Sequence, residues 1–202
     1  MHCKKNNHQN ENYMKHKQLI DVLKSYGRIS ELEEIKIREK FIIKEVGKKE
    51  VLVEKNSPCN KLFFINKGLL RAYFINNMGK DITRAFAWEN RFITNIISFK
   101  NFNQNNETIE SVENSELLYI SRNGFDELLR TSQNFKSIYI EILEEYNAFN
   151  LKRFEHLNIG NSLEKYDYFN NHFYFLQNRL TDTLLSSFLN ISRKTVERLK
   201  KV

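Results

Sequence analysis

At 202 residues the chain has room for one large domain or two small ones, and 41% hydrophobic with 13% aromatic residues can build true cores, which excludes general disorder. Lys and Arg number 32 against 25 Asp and Glu, a net charge of +7 that suits an anionic partner, nucleic acid or a membrane surface, and equally suits mere solubility. Two cysteines, Cys3 and Cys59, exclude a disulfide framework, a zinc pattern and an iron–sulfur cluster, and point to reduced thiols in the cytoplasm.

The opening "MHCKKNNHQNENYMKHK" is polar, lacks the apolar centre of a signal peptide, and reads as an unstructured segment to residue 18. No apolar run reaches the length of a membrane span. From Lys17 the pattern is helical, with Leu19, Ile20, Leu23 and Tyr26 on one stripe; Gly27 breaks it, and Ile29, Leu32, Ile35 and Ile37 resume in a second short helix. Between Phe41 and Ile120 the period changes. "FIIKEV", "EVLVEK", "KLFFI", "LLRAYFI", "DITRAFA", "ETIESV" and "ELLYI" are short strands separated by turn residues, the spacing of a sandwich, jelly roll or barrel. Asn56 and Gly68 stand where the backbone calls for a positive φ. Ser121 is placed to cap a helix over "SRNGFDELLRTSQ".

A long helix follows, roughly Asn134 to Leu157, with Phe135, Ile138, Tyr139, Ile142, Leu143, Tyr146, Phe149 and Leu157 at three- and four-residue steps. Two apolar positions per turn suit a helix that packs on its own domain and also pairs with its twin. "IGNS" at 159–162 is the linker, and "SLEKYDYFNNHF" reads as a helix capped by Ser162. The expected division is 1–18 polar N-terminus, 19–133 β-rich domain with flanking helices, 134–158 dimerisation helix and 159–202 helical domain.

The closing stretch meets the requirements of a helix-turn-helix one by one. Thr181 caps the first helix; Leu184, Leu185, Phe188 and Leu189 form its inner face; Ser186 is small where two helices cross. Asn190 tolerates a left-handed turn, Ile191 plugs the core, Ser192 caps the second helix, and Val196 and Leu199 point inward. Arg193, Lys194, Glu197 and Arg198 are then forced outward. Arg193 and Lys194 sit at the helix N-terminus, against the dipole, so helix electrostatics does not account for them and an anionic partner does. Arg and Lys can bridge guanine acceptors in the major groove; Ser192 and Thr195 can reach phosphates. Lys201 is placed as a phosphate contact, and Glu197 can accept from a cytosine amine or repel phosphate.

This layout resembles the CRP/FNR family of bacterial transcription regulators over roughly residues 19 to 202. The most specific part is "LTDTLLSSFLNISRKTVERLKK", which matches the DNA-reading segment without insertions; "KLFFINKGLLRAYF" is similar to the family's strand pair with Gly68 as turn glycine, and "SLEKYDYF" to the helix after the hinge. The resemblance implies an α+β protein: a jelly-roll-like β-roll sensor, a dimerisation helix and a winged helix-turn-helix. It implies base contacts at Arg193, Lys194 and Arg198, phosphate contacts near Thr181, Ser192 and Thr195, a homodimer on double-stranded DNA, RNA polymerase as a further partner, and a cytoplasmic location with no membrane.

The departures are equally specific. Cyclic-AMP-binding members carry a Gly-Glu pair, then an Arg followed by Ser or Thr. The corresponding "RFITNIISFKNFNQNNETIESV" has no Gly; Asn105 and Asn106 stand where the Arg belongs, and a cyclic phosphate would meet Glu107 and Glu110. The expectation is a regulator not controlled by cyclic AMP, with an unknown effector or none. No His lies between residues 17 and 155, which argues against a haem ligand and a cupin-type metal enzyme. No cofactor, metal or catalytic set is expected. The alternative is an effector-sensing or protein-interaction module whose helix-turn-helix no longer reads DNA.

Overall fold

The computed structural model describes residues 2–201. The chain divides into two compact units: Met1–Tyr73 with Phe86–Ile142, and Phe74–Ala85 with Leu143–Val202. This partition differs from the linear one expected from sequence. A hairpin from the β-rich region goes with the C-terminal helices, and the long helix is divided.

The first unit begins with α1 (His2–Tyr26) and α2 (Glu31–Lys40). Helix α1 starts within the segment expected to lack structure. Residues 15–18 of it are held by side chains: Lys15 pairs with Glu45 at 3.0 Å and Glu116 at 2.9 Å, and His16 Nε2 lies 2.8 Å from the Phe41 carbonyl oxygen. Gln18 donates to the Asn66 carbonyl at 2.8 Å, and Asn66 Nδ2 returns a bond to the Lys15 carbonyl at 2.8 Å. Polar composition alone does not reveal such partners. Ser30 caps α2 through a reciprocal box with Glu33.

The strands are β1 (Ile42–Val46), β2 (Val51–Val53), β3 (Lys61–Lys67), β4 (Leu70–Ile75), β5 (Asp81–Ala87), β6 (Phe92–Ile93), β7 (Thr108–Ser111) and β8 (Ser115–Ser121). They form two four-stranded sheets, ordered β1-β8-β3-β6 and β2-β7-β4-β5. Strand β8 is antiparallel to both neighbours, with Phe63 opposite Tyr119 and Ile65 opposite Leu117. Inward residues from both sheets, including Val46, Val53, Phe63, Ile65, Leu70, Ala72, Ile109 and Leu117, make one apolar cluster. Asn56 (φ 65°) and Gly68 (φ 110°) both have the positive φ expected. Two elements escaped the sequence pattern: β6, only two residues long, and α3 (Ile96–Asn101), capped by Asn95. Helix α4 (Arg122–Thr131) starts at the expected Ser121 cap.

Helix α5 runs Gln133–Ile159, close to the expected span. Phe135, Ile138 and Ile142 are its buried face in the first unit. In the second unit follow α6 (Ser162–Phe173), one turn of 3-10 helix (Tyr174–Leu176), α7 (Asp182–Leu189) and α8 (Arg193–Leu199). The α6 cap is Asn161 rather than Ser162, because Asn161 Oδ1 accepts from both Leu163 and Glu164 and Glu164 closes a capping box. Phe173 is the hub of this unit, 5.8 Å from Phe149 and 5.7 Å from Phe188 by ring centroid. No strand follows β8 among the described residues, so the wing implied by the resemblance is not found there. Nor, among these residues, is any helix long and apolar enough to cross a membrane.

Candidate nucleic-acid interface

Helices α7 and α8 are joined by a short turn whose geometry follows from residue chemistry. Thr181 Oγ1 accepts from the Leu184 amide at 3.3 Å and starts α7. Asn190 ends it in the left-handed region at φ 52°, where Asn is one of the few residues tolerated beside Gly. Ile191 is buried in the turn. Ser192 Oγ then accepts from the Thr195 amide at 3.1 Å and starts α8. Val196 is fully buried, and this fixes the rotation of α8.

That rotation leaves Arg193, Lys194, Arg198 and Lys201 exposed. Their spacing places them with Glu197 on one helical face. Arg193 Nε is bonded to Glu197 Oε1 at 2.9 Å, an i,i+4 pair in which both side chains remain open to solvent. Such a pair is weak and can open for a competing acceptor. The Ser192 and Thr195 hydroxyl oxygens are 2.7 Å apart, so one hydroxyl hydrogen of the pair is engaged internally and the other remains to be donated. Thr181, used only as an acceptor in its cap, keeps its hydrogen. Lys200 plays a different part: it pairs with Asp182 and ties α8 to the start of α7.

The residues expected around a cyclic-nucleotide cassette are also placed. Asn105 is 5% exposed and its side chain is consumed locally: Nδ2 donates to the Ser57 and Glu54 carbonyls at 2.6 and 3.1 Å, and Oδ1 accepts from the Glu107 amide at 2.8 Å. Glu107, equally buried, accepts from Asn95 at 3.1 Å. Glu110 receives Arg71 Nε at 2.8 Å across β4 and β7, and the Arg71 guanidinium lies 4.0 Å from the centre of the Tyr73 ring. Sequence reasoning missed Arg71, a buried cation on a strand; its place before Ala72 and Tyr73 gives no periodic signal.

Residues 43–132 match the family model described as the cyclic nucleotide-binding domain. The match makes this part of the chain similar to that family. No curated protein matches the chain by sequence. Among solved structures, a protein assigned to the CRP/FNR regulators of Eubacterium rectale is 16% identical, with TM-score 0.68 over 86% of this chain and 82% of its own. FixK2 of Bradyrhizobium japonicum is 12% identical, TM-score 0.67, over 80% and 83%. The regulator CLP of Xanthomonas campestris, described as responsive to c-di-GMP, is 12% identical, TM-score 0.70, over 85% and 90%. The likeness is one of fold, an α+β chain with a β-rich domain and a long helix shared with these CRP/FNR proteins. Identity this low carries the fold and not the activity.

Proposed function

We propose that this protein is a cytoplasmic, sequence-specific DNA-binding transcriptional regulator and not an enzyme. It acts as a homodimer, with α8 of each protomer entering the major groove of a two-fold symmetric site, about 34 Å apart. One observation carries the reading: α8 is capped by Ser192, anchored by the buried Val196, and presents Arg193, Lys194 and Arg198 on its open side. Arg193, Lys194 and Arg198 read bases; Thr181, Ser192, Thr195 and Lys201 contact phosphates; Glu197 tunes Arg193 and disfavours phosphate. RNA polymerase is the downstream partner that such a regulator serves.

Selection of bound duplexes from a random DNA pool at moderate salt tests this. A palindromic consensus is expected. Arg193→Ala or Arg198→Ala costs about 1–3 kcal/mol per half-site and relaxes one base position, whereas Lys201→Ala weakens all sequences alike and lowers the salt slope by about one. No enriched sequence, or two Arg variants identical to wild type, would leave the basic helix a solvated surface on an interaction module.

We also propose that cyclic AMP is not the effector. Support comes from Asn105, whose side chain is spent on the turn, and from the buried Glu107, whose carboxylate would repel a cyclic phosphate. Calorimetric titration with cyclic AMP is expected to be flat to about 1 mM, the level of about −4 kcal/mol. Micromolar binding would overturn this.

A further inference from the structure

Ser187 is a polar residue on the buried side of α7, 6% exposed between Ser186 and Phe188. Its hydroxyl is fully used by the hairpin formed by the end of β4 and the start of β5. Asp81 Oδ1 and the Asp81 carbonyl lie 2.8 and 3.0 Å away and take its one hydrogen; the Thr83 amide, at 2.8 Å, and the Thr83 hydroxyl, at 2.9 Å, face its lone pairs. Thr83 is 1% exposed, and its carbonyl accepts from Arg153 of α5 at 3.4 Å. The Arg153 guanidinium in turn lies 4.5 Å from the centre of the Phe188 ring. At the turn after α7, Lys80 of the hairpin donates to Asn190 Oδ1 at 3.1 Å.

Strand β5 is the outer strand of its sheet, so its outward amides and carbonyls need partners from elsewhere. Helix α7 supplies one through Ser187, and α5 another through Arg153. The result is a helix pair whose first member is bolted to a strand edge by a saturated hydroxyl, with its turn tethered by Lys80. Two apolar surfaces can slide over one another; a buried hydroxyl with four directional partner atoms has one geometry.

We infer that Ser187, held by Asp81 and Thr83, is a positioning residue for DNA reading. It fixes α7, and through the Asn190 turn α8, against the β4–β5 hairpin, and this contact stays closed when DNA is bound. The inference rests on the DNA-reading function proposed above.

The test uses the full-length protein and the duplex enriched from the random pool. Ser187→Val, tested beside the smaller Ser187→Ala to control for its extra methyl group, removes the hydroxyl. It is expected to weaken specific binding about tenfold, about 1.4 kcal/mol, while leaving affinity for unrelated duplex within about twofold. A merely destabilised helix pair would lose both together, and that result would overturn the inference, as would unchanged specific affinity. The second arm is a Thr83→Cys/Ser187→Cys pair in a Cys3→Ser background. Oxidised, it should bind the duplex as tightly as wild type; loss of binding restored by reductant would show that the contact must open and would overturn the inference. If the wild type enriches no sequence, the functional reading fails on its own. Hydrogen exchange then decides the contact: the Thr83 amide should be protected in wild type and about tenfold less so in Ser187→Val, and equal protection would refute it.

Discussion

Glu33 gathers four hydrogen bonds in the first unit. It caps α2 by accepting from the Ser30 amide at 2.9 Å and the Ser30 hydroxyl at 2.8 Å, and also receives Asn134 Nδ2 at 3.0 Å and the Ser132 hydroxyl. Burial alone would raise its pKa, but the hydrogen bonds from Ser132, Asn134 and Ser30 outweigh burial and bring it from 4.5 to about 2. Because the folded value is depressed, the native state gains from the ionised form above the unfolded pKa, and that gain is lost as pH falls toward 2. After solvent screening the contribution is about 1 kcal/mol. Glu33→Gln should therefore lower urea stability at pH 7 by about that amount and differ much less from wild type at pH 2.5. An equal deficit at both values would show that the geometry of the cap matters and its charge does not.

At the scale of elements, the turn between β3 and β4 depends on one missing side chain. Gly68 has φ 110°, and a Cβ there would meet the Ser115 backbone, with Ser115 Cα at 2.7 Å. The neighbour is the backbone of the first residue of β8, paired with Val46 of β1, so it cannot rotate away. Gly68→Ala should cost about 3 kcal/mol or more, read as a fall in the denaturation midpoint; a loss below about 1 kcal/mol would mean that the turn rearranges freely. This glycine was legible in the sequence because "NKG" between apolar runs has a physical meaning. The same holds for Asn56, for Asn190 and for the caps Ser121, Thr181 and Ser192, where a residue type answers a local backbone demand. What was not legible depends on distant partners. Residues 15–18 look like a polar tail until Glu45, Glu116, Phe41 and Asn66 are placed beside them. Ser187 looks like a second small residue at a helix crossing until Asp81 and Thr83 arrive from more than one hundred residues away in sequence. Helix α3 has too few residues to show a period, and the wing was implied by resemblance alone.

For the whole molecule, the decisive surface is the open side of α5. The sequence suggested two apolar positions per turn, but of the large apolar residues that α5 exposes only Leu143 belonged to that reading; Ile140, Leu151 and Phe154 did not. Phe135, Ile138 and Ile142 are buried within the protomer, while Ile140, Leu143, Leu151 and Phe154 remain exposed, at 46%, 38%, 56% and 65%. Their steps of three and eight residues, with the exposed Asn147 midway between Leu143 and Leu151, keep all five on one side of the helix. A single polar residue in such a seam sets register at some cost in affinity. In the homodimer proposed above, a second α5 would cover these four large apolar side chains with the same stripe by symmetry. Sedimentation at micromolar concentration should give a mass near twice 24.3 kDa. Replacing Leu151 and Phe154 together by Glu puts two carboxylates from each protomer into the seam, and the variant should sediment at the protomer mass with its circular dichroism unchanged. DNA binding supplies the second reading. A dimer holds its second recognition helix at the second half-site at high effective concentration, so the monomer should lose at least about a hundredfold in affinity for the palindrome, while binding to a single half-site changes little. A variant that remains dimeric would place the interface elsewhere, and a wild type that sediments as a monomer would remove the expectation of a two-fold symmetric site.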